Sequence, residues 1–90
     1  MFNSEYSEQL VEIMRKLSKK NKLLYEQLIK KINEITNSSD IEHYKNLKHG
    51  MKDSKRVHIG HFVLVFQFNK KTNTLFFDDF DHHDNIYRAS

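Results

Sequence analysis

The stretch Lys55-Arg56-Val57-His58-Ile59-Gly60-His61-Phe62-Val63-Leu64-Val65-Phe66-Gln67-Phe68 decides the fold. Its first five residues alternate polar and apolar, the pattern of a half-buried strand. Gly60-His61 reads as a turn. Phe62 to Phe68 is almost entirely apolar, β-branched or aromatic, as a central strand requires. Asn69-Lys70-Lys71-Thr72-Asn73 then reads as a hairpin loop, and Thr74-Leu75-Phe76-Phe77-Asp78-Asp79-Phe80 as the returning strand.

Upstream, the apolar period changes from two to that of a helix. Ser4 is the expected N-cap, with Glu5 and Glu8 favourable near the positive end of the helix dipole. Tyr6, Leu10, Ile13, Met14 and Leu17 form one stripe. Ser18 to Lys22 interrupts it, and Asn21 suits a left-handed helix end. Leu24, Leu28, Ile32 and Ile35, with Leu23 alongside, form a second stripe that stops at Asn37-Ser38-Ser39-Asp40. Two such helices joined by a short turn make an antiparallel pair, and each stripe must pack on something. Phe2 is a candidate edge strand. The expected fold is α+β, a two-helix hairpin packed on one face of a small antiparallel sheet in the order β-α-α-β-β-β. It forms a single domain over residues 1–90, without repeat, linker or low-complexity stretch.

Composition narrows the chemistry. Leu, Ile, Val and Phe fill 26 of 90 positions, above the roughly 20% level below which chains tend to stay disordered. A chain this short buries only about 60–65% of its unfolded surface, so there is no room for a second core. Cysteine is absent, which removes disulfides, thiol catalysis and thiolate zinc sites. With only Gly50 and Gly60, neither a Walker loop nor a dinucleotide fingerprint can be built. No apolar run approaches the roughly 18 residues that span a bilayer. The start, Met1-Phe2-Asn3-Ser4-Glu5, has no signal-peptide pattern. The expectation is a cytoplasmic protein with no membrane partner.

Charge is uneven. Between His43 and His61 lie Lys45, Lys48, Lys52, Lys55 and Arg56, against the single acid Asp53. A basic middle suits a polyanionic partner, and equally a solvated lysine-rich surface. Arg56 and His58, two apart on a strand, share a face. A cation beside an imidazole suits a phosphodiester, the one neutralising charge and the other moving protons. The same pair also suits a charged sheet edge that discourages aggregation. The segment Phe80-Asp81-His82-His83-Asp84-Asn85-Ile86-Tyr87 has three readings. It has metal-ligand types in His82, His83 and Asp84, although adjacent histidines on one strand would point to opposite faces. It also fits a structural segment closed by Tyr87, and an acid–base site.

These motifs, in this order, resemble the RelE/ParE superfamily of toxins, closest to the archaeal-type RelE branch. The resemblance covers nearly the whole chain. It rests on the opening Phe2, the lysine-rich helical hairpin, Tyr44-Lys45-Asn46-Leu47-Lys48-His49-Gly50, Lys55 to Gly60, the strand Phe62 to Phe66, and His82 to Tyr87. It implies a toxin neutralised by a RelB-like antitoxin in a hetero-oligomer. It further implies a ribosome-dependent endoribonuclease that cuts mRNA in the A site through its 2′-hydroxyl, with neither metal nor cofactor. On that resemblance Tyr87, Arg56, His83 and His58 are the catalytic candidates. Lys45, Lys48, Lys52 and Lys55 are the candidates for holding RNA phosphate. The family's strand motif "R-x-R-x-G-x-Y-R" reads here Arg56-Val57-His58-Ile59-Gly60-His61-Phe62-Val63, so its second arginine is His58 and its last is a valine. His83 replaces another family arginine. These departures leave a second reading, a ParE-like or degenerate toxin of the same fold that acts by binding.

Overall fold

The computed structural model describes residues 2–44 and 54–89. The elements run β1 (Asn3–Tyr6), α1 (Glu8–Lys20), α2 (Lys22–Thr36), a 3-10 turn (Ile41–His43), β2 (Ser54–Ile59), β3 (Phe62–Asn69), β4 (Thr74–His82) and α3 (His83–Ala89). This is the expected α+β architecture with one added element, the short α3.

The strands lie in the order β1-β4-β3-β2. β2, β3 and β4 form an antiparallel meander, whereas β1 pairs with β4 in parallel, Asn3 opposite Thr74 and Tyr6 opposite Phe77. The sheet is therefore mixed rather than antiparallel. A parallel pair needs a long crossover connection, and everything between β1 and β4 serves as that connection. Gly60 has φ +61, which the first position of a two-residue hairpin turn demands. In the β3–β4 loop, Asn69 Oδ1 accepts from Lys71 N at 3.0 Å, and Asn73 closes the loop with φ 53.

The helices differ in detail from the expectation. Ser4 lies in β1, and Ser7 is the N-cap of α1, its Oγ accepting from Leu10 N at 3.0 Å. Tyr6 leaves the helical stripe for β1 and stacks on Phe77 at 5.4 Å. Asn21 alone separates the helices. Its amide donates to Leu17 O and its Oδ1 accepts from Leu24 N, so it ends one helix and caps the next. Its φ of −149 is extended rather than left-handed, because it must also begin α2.

A bulge decides which side chains form the core. Val65 lies opposite Asp79 and Phe66 opposite Phe77, so Asp78 is an extra residue in β4. Without it, Phe77 and Phe80 would point to opposite faces. With it, both enter the core with Leu10, Leu28, Ile32, Ile35, Leu64 and Phe66. The Asp78 carbonyl accepts from Ser7 Oγ and from Gln9 Nε2, which ties the bulge to the start of α1. On the other face of the sheet, Val63 and Val65 pack with Ile86 and Tyr87 of α3 in a second, smaller cluster.

Candidate functional site

The site lies on the face opposite the helical hairpin, where α3 covers β3 and leaves the side chains of β2 beside it. Arg56 and His58 share that face by strand alternation. Arg56 Nη1 is 3.4 Å from His58 Nδ1. The Arg56 guanidinium stands 5.8 Å from the centre of the Tyr87 ring, in cation–π range, and the His58 and Tyr87 rings are 6.3 Å apart. Tyr87 is held from below by Val63, Val65 and Ile86. Two turns of chain separated by about thirty residues of sequence thus meet through a small apolar base.

His58 titrates below its ordinary range. Partial desolvation is the largest cause, followed by the charge of Arg56 and then that of His83. The imidazole therefore stays neutral at physiological pH and can accept a proton. His83 is the first residue of α3, and its Nδ1 lies 3.1 Å from Asp84 Oδ1. A carboxylate there can hold the ring through Nδ1 and leave Nε2 for another partner. Arg56 Nε is buried with no hydrogen-bond partner among the described residues. Such a donor costs about 1–3 kcal/mol when left unmade, and Arg56 as a whole is half-buried.

The structure brings together Arg56, His58, His83 and Tyr87. It does not bring Lys55 to them. Lys55 is 8% exposed and points to the helix-covered face, opposite Phe66, with Nζ donating to Tyr44 O at 3.3 Å and 3.8 Å from Glu42 Oε2. It is an anchor for the segment before β2, and it leaves the phosphate-holding set. Lys45, Lys48 and Lys52 lie outside the described residues. Two features were not anticipated. The strand ends at His82, so the chain turns between His82 and His83 and the rule that adjacent strand residues diverge does not apply to them. His58 also lines a groove of about 300 Å³ with Gln27, Lys30, Lys31 and Glu34 of α2. Nothing in the sequence marks Lys30 and Lys31 from other lysines on the polar side of that helix.

Val63, where the family pattern has an arginine, is fully buried beneath α3. An apolar residue there builds the base on which Tyr87 rests, and its hydrophobic contact takes the place of a charge.

No protein-family model matches the chain. The candidate toxin RelE4 of Methanocaldococcus jannaschii is 47% identical over 89 residues, spanning 98% of this chain and 93% of the relative. Among solved structures, the isolated RelE toxin of E. coli superposes with a TM-score of 0.72 at 21% identity, each chain covered completely. The archaeal RelE–RelB complex from Pyrococcus horikoshii matches with a TM-score of 0.66 at 15% identity, covering 90% of this chain and 93% of that one.

Proposed function

The chain belongs to the RelE toxin family, and from that premise we propose that it enters the ribosomal A site and cuts mRNA there without a metal. Its neutralising partner is a RelB-like antitoxin, an acidic and partly helical chain. In the two solved complexes of E. coli and Pyrococcus horikoshii, RelE toxins are seen with RelB. We take residues 1–90 as one toxin domain acting in the cytoplasm.

The observation that carries this reading is the convergence of a permanent cation, a neutral imidazole and a phenol on one open face. In the proposed step, His58 accepts the proton of the 2′-hydroxyl as its oxygen attacks the adjacent phosphorus. A new P–O2′ bond forms and the P–O5′ bond breaks. Tyr87 gives its hydroxyl proton to the departing 5′ oxygen. Arg56 faces the charge that builds on the non-bridging oxygens, and His83, oriented by Asp84, hydrogen-bonds the same phosphate. The products are a 2′,3′-cyclic phosphate and a 5′-hydroxyl. Ribosomes programmed with a defined mRNA, with products resolved by end chemistry, test it. Toxin stripped of metal with EDTA and desalted before it meets ribosomes kept in Mg²⁺ should still cleave and yield the cyclic end. Activity lost on stripping and restored by a divalent ion other than the ribosome's Mg²⁺ would sink the mechanism.

The buried Val63 favours a second reading, in which the fold binds without cutting. Under it, mRNA stays intact in growth-arrested cells, and Arg56→Ala arrests growth as well as the parent chain does.

A further inference from the structure

The β4–α3 junction carries a cluster that the cleavage scheme uses only in part, through His83 and the Asp84 that orients it. His82, His83 and Asp84 each offer a ligand atom, and those atoms lie within 4.8 Å of one another. Their side chains are accessible, at 39%, 40% and 58% exposed. A fourth donor comes from the β2–β3 turn. The His61 ring stands 6.2 Å from that of His82 and 6.4 Å from that of His83, while the two adjacent rings are 4.5 Å apart. The backbone holds the two segments together, with His83 N donating to His61 O at 2.9 Å.

Three imidazoles bound to one tetrahedral zinc, with Zn–N near 2.0–2.1 Å, place their ring centres roughly 5 Å apart. The three separations observed bracket that value, and His61 must move inward from its 6.2 and 6.4 Å to join the set. Asp84 completes the tetrahedron or holds an Nδ1–H, as carboxylates beside metal-bound histidines do. Three neutral nitrogens and one carboxylate suit a borderline ion such as Zn²⁺ over Mg²⁺ or Ca²⁺.

We propose that His61, His82, His83 and Asp84 form a binding site for a divalent transition ion, Zn²⁺ above all, and that its occupancy shuts off the adjacent site. The ion takes the Nε2 of His83 away from RNA phosphate and brings positive charge beside His58. The binding claim stands by itself, while the shut-off rests on the cleavage reading.

The test uses the full chain without a histidine tag. Calorimetric titration with Zn²⁺ should give one equivalent bound, and Co²⁺ should give the visible absorption of a tetrahedral site. His61→Gln, which lies in the turn, and Asp84→Asn should each weaken binding at least tenfold while melting curves show a folded protein. Absent binding, or binding unchanged in the His61→Gln/Asp84→Asn double variant, overturns the site. In the programmed-ribosome assay, one equivalent of Zn²⁺ should cut the rate of the parent chain at least tenfold, EDTA should restore it, and His61→Gln should resist. Zn²⁺ bound with no change in rate overturns the shut-off and leaves the site. A chain that binds Zn²⁺ yet never cleaves in any condition overturns the cleavage reading instead.

Discussion

In the proposed cleavage Tyr87 and Arg56 bear on the same phosphate by different means, so their substitutions separate. Tyr87→Phe keeps the ring that Val63, Val65 and Ile86 support and removes only the hydroxyl. Cleavage should fall about 10²–10⁴-fold, the usual weight of a placed acid–base group, with antitoxin capture unchanged in a pull-down. His83→Gln should cost less, since its part is to hydrogen-bond phosphate. Full toxicity of both variants would make the His82–Tyr87 segment structural. In the same proposal His58 sets the pH dependence. The neutral ring is the competent base, and its pKa is depressed, so activity should persist into mild acid and fall only as pH drops below the ordinary histidine value of about 6.5. Arg56→Gln removes one named cause and should move the His58 titration upward, followed through its ring proton by NMR. A midpoint at or above 6.5 in the parent chain would refute the sign. Lys55 shows what residue-level reading missed. The alternation that pairs Arg56 with His58 sends Lys55 to the other face, where Glu42 and the Tyr44 carbonyl hold it.

Among the elements, α1 is set by a cap three residues later than Ser4. Ser7→Ala should destabilise the fold by about 1 kcal/mol through the lost cap, and somewhat more because Ser7 Oγ also reaches the Asp78 carbonyl. Ser4→Ala, which loses only a long contact of 3.4 Å to Thr36 Oγ1, should cost less in urea unfolding. Equal costs would contradict the capping assignment. β2, β3 and their turn were legible because strict alternation, then an unbroken apolar run, leaves few alternatives. The bulge was not legible, since Asp78 is displaced by partners on α1 that lie far away in sequence. α3 escaped for another reason. Seven residues with apolar side chains at Ile86 and Tyr87 are too few to show a helical period. The strand's own period runs into it without a break, so the turn at His82–His83, and with it the gathering of the histidines, was hidden.

At the scale of the molecule, the two faces of the sheet are divided between stability and chemistry. The helical hairpin covers the larger core, and the small cluster under α3 supports the groups of the proposed cleavage. RNA held through a few phosphates should bind weakly without the ribosome, and the logarithm of affinity should fall with that of salt by about 0.7 per phosphate contacted on a single strand. Naked RNA cut efficiently and without codon dependence would contradict a ribosome-presented substrate. The face available to RNA could be found from the pairing of Arg56 with His58. The depth at which Tyr87 sits could not, because it depends on Val63 being packed where a charge was expected.

The parallel pairing of β1 with β4 carries a consequence for the order of synthesis. β1 is made before its partner β4, and Ser7 waits for Asp78, 71 residues further on. The sheet cannot close, nor can the bulge lock onto α1, until β4 has left the ribosome. His83 and Tyr87 come later still. Contacts of such long range form slowly. A copy that ends before β4 therefore has no closed sheet, and one that ends before His83 lacks two of the groups that the proposed cleavage uses.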